Sequence, residues 1–358
     1  MSTDQSDAGA LHRDDASERA AVLHQRGLMQ AEYGDAAGAL RFFEQSLAME
    51  QRLGDGLGIA ANLHGMAGLA LDAGDDARAL RLYQDALAIR ERLADTPGIA
   101  ATLHQLGLVA AESGDDREAL ALYERSLRIS TESGSDAGRA PTLYRIAGIY
   151  AAREDWAAAA GFYRRAAECY SRIDNVERTA ECHACLAAAA FVNGDAAVAI
   201  ENGREAVREF ASIAHWPRMV GLLAALPAYE PEMALSWLAQ AAWLACAMPG
   251  MSQDGMDVIS AITRRLPTGC TLELTIAALT VLRLEREAGW RKLALMDPAR
   301  ALLELAAMNH DMEEEALEAW LQGRRTGFTT LYREVLDGLA ALVHTEWLFE
   351  RSAVPRAR

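Results

Sequence analysis

The stretch AANLHGMAGLALDAGDDARALRLYQDALAIRERL, residues 60–93, decides the fold. It contains two segments with the apolar spacing of helices, 60–73 and 76–93, joined by Gly74-Asp75. Glycine ends helices readily because it adopts left-handed backbone angles, and aspartate caps the start of the next helix. The stretch therefore predicts two antiparallel helices, helix A and helix B, joined by a tight turn.

The same pattern recurs with a period of 40 residues. The turn dipeptide is repeated at Gly34-Asp35, Gly114-Asp115 and Gly194-Asp195, with Glu154-Asp155 in the remaining place. Positions are counted from the first residue of each turn. A small residue lies seven positions before it, an alanine five positions after it, and an aromatic residue nine positions after it. These columns are Gly27, Ala67, Gly107, Ala147 and Ala187; Ala39, Ala79, Ala119, Ala159 and Ala199; and Phe43, Tyr83, Tyr123 and Tyr163, with Gly203 in the last place. Small residues let two helices approach closely, so the columns predict repeated helix pairs.

The repeats predict an all-α protein, a right-handed α-solenoid of helix-turn-helix units with a helical C-terminal cap. The expected organisation is a disordered tail over 1–15, five 40-residue units over 16–213, and a degenerate sixth unit with the cap over 214–358. Helical patterning is predicted as far as Thr329–Phe349. Six of the seven tryptophans lie after residue 214. They are expected to close the last hydrophobic face of the solenoid, with an aromatic pocket or a dimer surface as the alternatives.

On these columns the sequence resembles the tetratricopeptide repeat (TPR) family over residues 16–213, in a variety longer than the usual repeat of roughly 34 residues. The additional residues are expected to lengthen helix B and the loop after it. Residues 297–304 and 318–324 are similar to the tail of the repeat module in bacterial STAND and LuxR-type regulators. This resemblance implies a sensor or adaptor module, expected here without the NTPase and DNA-binding domains of the full regulators.

The charge of the chain argues against nucleic acids and anionic membranes as its primary partners. The chain has 35 basic and 51 acidic residues, for a net charge of −16, whereas nucleic acids and anionic membranes require a basic surface. The single lysine, Lys292, follows Arg291, so the sequence contains no Walker A motif. It also has no N-terminal apolar segment and no apolar run long enough to span a bilayer, so we expect a soluble, cytoplasmic protein. Residues 1–214 hold 21 basic and 33 acidic residues, which favours a partner with basic segments.

One face of helix A is predicted to line the concave surface of the array. Residues four and eight positions apart share a helix face. The register positions on this face hold His24, His64, His104 and Tyr144, then Leu28 and Leu108, then Glu32, Asp72 and Glu112. The functional interpretation is a groove in which these residues contact a peptide or helix, the carboxylates select basic groups, and the histidines make affinity sensitive to pH near 6.5. The other interpretation is that each histidine packs between adjacent helices.

A CxxC sequence, Cys182-His183-Ala184-Cys185, lies within a predicted helix, and Cys169 lies on the preceding helix B. These three cysteines are candidates for a metal or redox site, although buried cysteines also serve as small apolar residues. No second CxxC and no catalytic motif occurs in the sequence. We therefore predict no cofactor and no catalytic residue.

The sequence thus predicts a non-catalytic scaffold or adaptor in bacterial signalling or regulation, which binds a protein or peptide segment in the concave groove. Two alternatives stay open at this stage. One is a sensor that holds a small molecule or peptide between the array and the cap. The other is a metal- or thiol-dependent enzyme that uses Cys169, Cys182 and Cys185. The C-terminal region is also a candidate surface for self-association.

Overall fold

The computed structural model describes residues 3–247, 340 and 343–355, except for the side chains of 3–14, 235, 245 and 246. The chain divides into two compact units, Met1–Ile173 and Asp174–Arg358. The described residues form α-helices and two short 3-10 helices, Pro231–Met233 and Arg351–Ala353, with no strand among them. This confirms the all-α class. In the same part of the chain, no helix combines the length and the apolar character needed to cross a membrane.

The first unit contains four helix pairs. Its helices are α1 (Thr3–Glu32), α2 (Ala36–Leu53), α3 (Gly56–Asp72), α4 (Asp76–Arg92), α5 (Thr96–Glu112), α6 (Asp116–Glu132), α7 (Asp136–Ala152) and α8 (Trp156–Arg172). Each helix packs against the next in the chain, and the A helices also touch each other, α1 against α3 and α5 against α7. The predicted small and aromatic columns are buried between them, as at Ala79, Tyr83, Ala119 and Tyr123. The repeated helix pairs are therefore confirmed.

The turns within each pair have the predicted chemistry. Gly34, Gly74 and Gly114 adopt left-handed φ values of 78°, 75° and 80°. The aspartate that follows each glycine caps the next helix; Asp35 Oδ1, for example, accepts a hydrogen bond of 2.8 Å from the Gly38 N–H. The glycine–aspartate pair therefore ends the first helix of each pair and caps the N-terminus of the second.

The connections between repeats are shorter than expected, because they use the same turn chemistry. Gly54 and Gly134 are left-handed with φ of 73° and 69°, and Asp55 and Ser135 cap the helices that follow. The turn motif therefore has a period of 20 residues, half that of the side-chain columns. The prediction that the additional residues lengthen helix B and its loop was wrong in part: α3 begins at Gly56, and the connecting loop is as short as the turn inside a repeat.

Ala94 occupies one of these left-handed positions, with φ of 53°. Because a Cβ atom makes this conformation unfavourable by roughly 1 kcal/mol, we expect Ala94→Gly to raise the free energy of unfolding by about that amount. Urea denaturation followed by circular dichroism measures the change. Ala73→Gly is the matched control, since Ala73 is also exposed but has φ of −84°. An Ala94→Gly protein no more stable than the Ala73→Gly protein would contradict this account of the turns.

Helix α1 begins at Thr3, whereas the sequence predicts a disordered tail over 1–15. The backbone is therefore helical in most of the segment expected to lack structure. The segment has no proline to stop a helix, and two of its residues, Ala8 and Ala10, are of the type with the highest helix propensity.

The second unit contains α9 (Val176–Val192), α10 (Ala196–Ser212), α11 (Trp216–Tyr229) and α12 (Ala234–Ala247). The first two form the fifth repeat, and α11 and α12 pack together where a degenerate sixth repeat is predicted. Gly203 takes the aromatic place because its partner helix fills the space: a Cβ atom there would lie 2.9 Å from Leu226 Cδ2 and 3.4 Å from Tyr229. In this repeat, Leu226 and Tyr229 of α11 fill the space that the aromatic side chain of helix B fills in the other repeats.

The described C-terminal residues correct one further expectation. Residues 343–349 are not helical, although the sequence predicts a helix over Thr329–Phe349. Backbone groups of His344, Glu346 and Leu348 form hydrogen bonds with side chains of α12, as at His344 N–H to Ser236 Oγ, 2.9 Å. The helices predicted between 254 and 339 lie outside the described residues.

Candidate functional site

The predicted histidine row lies against the aromatic column of helix B. Each ring is half-buried and packs on the aromatic residue that follows it by 19 positions. The ring centroids are 5.4 Å apart for His24–Phe43, 5.0 Å for His64–Tyr83, 5.5 Å for His104–Tyr123 and 5.5 Å for Tyr144–Tyr163. The row therefore contributes to the packing of each helix pair.

This packing depends on the small residues beside it. A Cβ atom on Gly27 would lie 2.6 Å from Phe43 Cε1, and one on Gly107 would lie 2.6 Å from Tyr123 Cε1. In other repeats the same position holds alanine, as at Ala67, which is fully buried. The close approach of helix A to the aromatic ring explains why only glycine and alanine occupy this column.

The histidines also link neighbouring repeats. His24 Nδ1 lies 3.0 Å from Asn62 Oδ1, and His104 Nδ1 lies 3.0 Å from Thr142 Oγ1. Because Asn62 Nδ2 donates to Gly58 O, its Oδ1 faces His24 as an acceptor. The Thr142 hydroxyl likewise donates to Gly138 O and accepts from His104. Both imidazoles therefore carry their proton on Nδ1 and leave Nε2 as an acceptor.

His64 has the opposite arrangement because it meets a buried arginine. Arg90 Nη1 lies 3.5 Å from His64 Nδ1 and donates to Thr102 Oγ1 at 2.6 Å and to Gly98 O at 2.9 Å. Since a guanidinium only donates, His64 Nδ1 accepts and its Nε2 carries the proton. Sequence reasoning missed Arg90; its signal was Gly98, where a Cβ atom would lie 2.8 Å from Arg90 Cδ.

Burial changes the acid–base behaviour predicted for this row. Burial, with help from the neighbouring Arg90, lowers the pKa of His64 to about 4. Burial and Arg145 lower the pKa of His104 to about 4 as well. The expectation that these two histidines change charge near pH 6.5 was therefore wrong, because a half-buried imidazole between helices loses the hydration that stabilises its charged form.

The lowered pKa values predict that stability falls as the pH decreases. In the unfolded chain both histidines take up protons near pH 6.5, whereas in the folded chain they stay neutral to about pH 4. Protons then favour the unfolded state, so stability is lost between these two values and not above them. Between pH 7 and 5 we expect a loss of about 1–2 kcal/mol per histidine.

Urea denaturation at pH 7 and pH 5 measures this loss, because most carboxylates remain ionised over that range. A His64→Asn/His104→Asn protein is the comparison and should show a smaller decrease than the wild type. Equal decreases in the two proteins would contradict the assignment to His64 and His104.

The predicted acidic row differs from the histidines because it is exposed. Glu32, Asp72 and Glu112 are the last residues of α1, α3 and α5. None of them makes an ion pair or a side-chain hydrogen bond with another described residue. A carboxylate at a helix C-terminus is unfavourable, since the helix dipole is negative there. Three repeats thus keep an unpaired negative charge at the end of the helix that least favours it.

The apolar members of the face lie one turn before the carboxylates. Leu28 is exposed and Leu108 is half-buried. The intervening repeat holds Gly68 in the same register, where a Cβ atom would lie 3.6 Å from the Tyr83 hydroxyl. The predicted groove residues therefore separate into half-buried rings, apolar contacts and exposed carboxylates.

The Tyr123 side chain on this side of the array is fully buried, and its hydroxyl makes no hydrogen bond with another described residue. Its pKa is raised to about 12, mainly by burial, with Glu112 raising it and Arg145 lowering it. The signal in the sequence was the replacement of Phe43 by tyrosine at the same place in the next repeats.

The three candidate cysteines are free thiols. Cys169 belongs to the first unit, whereas Cys182 and Cys185 belong to the second. Burial raises the pKa of Cys169, as does Asp136; burial also raises the pKa of Cys182, with Cys185 and Glu181 adding to the effect. A protonated, buried thiol is a poor nucleophile and a poor metal ligand. Among the described residues, no three His, Cys, Asp or Glu side chains form a group that could hold a metal ion.

Four of the six C-terminal tryptophans lie in the described residues. Trp237 and Trp243 are fully buried, and Trp243 meets Trp347 with ring centroids 5.5 Å apart. Trp290 and Trp320 lie outside the described residues, as do the stretches 297–304 and 318–324. The cap, the enclosed ligand and the self-association surface therefore stay predictions.

Comparisons with known proteins define the class of the repeats. A family model described as tetratricopeptide repeat matches residues 58–132. The apo form of RapI has a TM-score of 0.52 at 12% identity, covering 80% of this chain and 98% of that chain. A STAND protein with a tetratricopeptide repeat sensor from Pyrococcus horikoshii has a TM-score of 0.51 at 14% identity, covering 86% of this chain and 44% of that chain.

TPR-like repeats of a kinesin light chain from Podosopora anserina reach a TM-score of 0.45 at 18% identity, covering 56% of this chain and 98% of that chain. No curated protein matches the chain. At these identities the likenesses to RapI and to the STAND protein show the fold alone, an α-solenoid of helix-turn-helix repeats. The repeats over residues 58–132 match the tetratricopeptide repeat model, and the fold resembles that of a STAND protein with a tetratricopeptide repeat sensor, as the sequence predicted.

Proposed function

We propose that this TPR scaffold binds a protein or peptide segment that carries basic residues, on the helix-A face of its first unit. The proposal rests on the row of exposed, unpaired carboxylates Glu32, Asp72 and Glu112 at three helix C-termini. A lysine or arginine placed there would meet both the carboxylate and the negative end of the helix dipole. The locally unfavourable charge would then be offset by the partner.

The neighbouring rings support the same kind of partner. The Nε2 atoms of His24 and His104 are acceptors with no hydrogen bond from another described residue. Together with the carboxylates they form a surface that mainly accepts hydrogen bonds. Such a surface suits the donors of lysine, arginine and peptide N–H groups. His64 differs, since its Nε2 donates, and Tyr144 takes the same register position in the fourth repeat.

Charge alone would give weak binding. An exposed ion pair contributes about 0.2–1 kcal/mol, so three pairs amount to roughly 1–3 kcal/mol. Apolar contacts with Leu28 and Leu108 would supply the remainder, and the preformed helices reduce the ordering cost of association. We infer that the partner segment combines basic and apolar side chains along its length.

We propose that this binding serves bacterial signalling or regulation and takes place in the cytoplasm. We also propose that the chain has no catalytic activity. The resemblance of the repeats to the sensor modules of STAND regulators supports this assignment.

Selection from a random peptide library displayed on phage tests the proposal. With the wild-type chain as bait, the enriched peptides should be rich in Lys and Arg. Counter-selection uses Glu32→Gln/Asp72→Asn/Glu112→Gln as the inner variant. The outer variant Glu44→Gln/Asp85→Asn/Glu124→Gln removes the same number of exposed charges from helix B. Enrichment of peptides without basic residues, or equal retention on both variants, would overturn the proposal.

A further inference from the structure

Gly68 is a glycine inside a helix that the packing of its own repeat does not require. It lies on the helix-A face of α3 with a helical backbone, so no turn explains it. A Cβ atom on Gly65, three positions earlier, would lie 2.7 Å from Phe43 Cζ. On Gly68 it would meet one described atom within 4 Å, the Tyr83 hydroxyl oxygen, at an ordinary contact distance of 3.6 Å. Because glycine is unfavourable inside a helix, Gly68 leaves a space that the fold itself does not need.

The Tyr83 hydroxyl forms the floor of this space. The Tyr83 side chain is 1% exposed, and its hydroxyl makes no hydrogen bond with another described residue. It points into the space, since it is the nearest atom to the missing Cβ of Gly68. The His64 ring packs edge-on against the Tyr83 ring, with centroids 5.0 Å apart. We call the space bounded by Gly68, His64 and Tyr83 the notch; a hydroxyl with so little contact with water would be stabilised by a polar group placed there.

Two leucines and two carboxylates share the helix-A face with the notch. Leu28 and Leu108 take the register of the glycine on the flanking helices α1 and α5. Burial raises the pKa of Tyr83 to about 12, and Asp72 and Glu112 contribute to the rise, so both carboxylates act on the hydroxyl. A side chain with an apolar stem and a positive end would match both kinds of neighbour.

The other repeats of the first unit lack this combination. In the third repeat Leu108 replaces the glycine, and the Tyr123 hydroxyl is buried. In the fourth repeat a Cβ atom on Gly148 would lie 4.0 Å from the Tyr163 hydroxyl, but Ala152 takes the place of the carboxylate. The first repeat has phenylalanine in place of the tyrosine. Only the second repeat of this unit joins glycine, tyrosine and a carboxylate in one register.

We propose that the notch is the subsite for one lysine side chain of the partner, an inference that rests on the proposed binding of a basic segment to this face. The aliphatic stem of the lysine lies between Leu28 and Leu108. Its ammonium donates to the Tyr83 hydroxyl and to the carboxylates of Asp72 and Glu112. An ammonium is compact and has three donors to direct at them, whereas the guanidinium of arginine is a planar, fixed fork that a space left by one missing side chain accommodates less well.

Fluorescence anisotropy with a labelled basic peptide enriched by phage selection tests the subsite. Gly68→Leu fills the notch and should weaken binding about tenfold, and Tyr83→Phe should weaken it about threefold. Gly148→Leu is the matched control, because it fills the same register beside Ala152; it should bind within about twofold of wild type. Gly68→Leu should be at least as stable as wild type by circular dichroism, since leucine is the better helix former. Gly68→Ala, whose Cβ atom makes only an ordinary contact, should give a smaller loss of affinity in the same direction.

Replacement of the peptide lysines one at a time by norleucine identifies the lysine that enters the notch. Norleucine keeps the stem and removes the ammonium. At one lysine the replacement should weaken binding to wild type about tenfold and binding to Gly68→Leu less than about twofold, because the two changes remove the same contact. Arginine at that position should weaken binding to wild type about threefold. Additive effects at every lysine, or full affinity with arginine, would overturn the lysine subsite.

The outcomes distinguish this subsite from the proposed function. A basic peptide whose affinity falls with the inner variant Glu32→Gln/Asp72→Asn/Glu112→Gln but not with Gly68→Leu would overturn the subsite alone. A selection that enriches no basic peptide on wild type would overturn both.

Discussion

Replacing Tyr123 with phenylalanine is expected to raise the free energy of unfolding by about 1 kcal/mol. The Tyr123 hydroxyl is buried without a hydrogen-bond partner among the described residues, and such a group costs roughly 1–3 kcal/mol of desolvation. Phe43 shows that the repeat accepts phenylalanine at this place, where it is equally buried. Removing the oxygen therefore removes a penalty and leaves the packing intact.

Tyr123→Ala is expected to have the opposite effect, a loss of about 3–5 kcal/mol, because it empties the space between α5, α6 and α7. Ala119, Ile146 and Ile149 belong to the same buried cluster and would line the resulting cavity. Urea denaturation followed by circular dichroism measures both variants. A Tyr123→Phe protein less stable than wild type would show that the hydroxyl has a stabilising partner, contrary to this account.

Replacing Gly107 with leucine is expected to reduce stability by about 3 kcal/mol or more, enough to melt the third repeat. The added Cβ atom alone would lie 2.6 Å from the Tyr123 ring, so the side chain would force helix A away from helix B. Gly107→Ala should cost far less, because Ala67 and Ala147 occupy the same register in neighbouring repeats.

Gly161→Leu provides the matched control for this substitution. Gly161 is also inside a helix, but a Cβ atom added to it would meet no neighbouring atom within 4 Å. Leucine there should be neutral or stabilise the helix by up to about 1 kcal/mol. Thermal denaturation of the three proteins ranks them. A Gly107→Leu protein as stable as Gly161→Leu would mean that the small column does not set the distance between the helices.

Much of the fold could be predicted because it repeats. Each column of the 40-residue period reports a buried contact, and agreement between repeats separates that contact from chance. The connections between repeats could not be read in the same way. Asp55 and Ser135 cap helices as the predicted Asp35 and Asp75 do, but their turns are less uniform in sequence, and the 20-residue period of the turns is hidden by Ala94.

The candidate site was only partly predictable. The sequence places His64 and Asp72 on one helix face, yet it does not say that the imidazole is half-buried against Tyr83 while the carboxylate is exposed. That difference depends on the depth of the side chain between two helices. The Arg90 contact depends on a glycine in the following helix, and the contacts of residues 343–349 depend on α12, more than 100 positions away.

We propose that the exposed carboxylates of helix A bind a basic partner, and calorimetry with matched variants tests this binding. Isothermal titration of a selected basic peptide compares wild type, the inner variant Glu32→Gln/Asp72→Asn/Glu112→Gln and the outer variant Glu44→Gln/Asp85→Asn/Glu124→Gln. All three should be folded, since the inner variant removes only exposed charges that the helix dipole disfavours.

We expect the inner variant to bind about tenfold more weakly than wild type, with a smaller salt dependence, and the outer variant to bind within about twofold of wild type. An equal loss in both variants would show that only the net negative charge attracts the peptide. Unchanged affinity in the inner variant would contradict the claim outright.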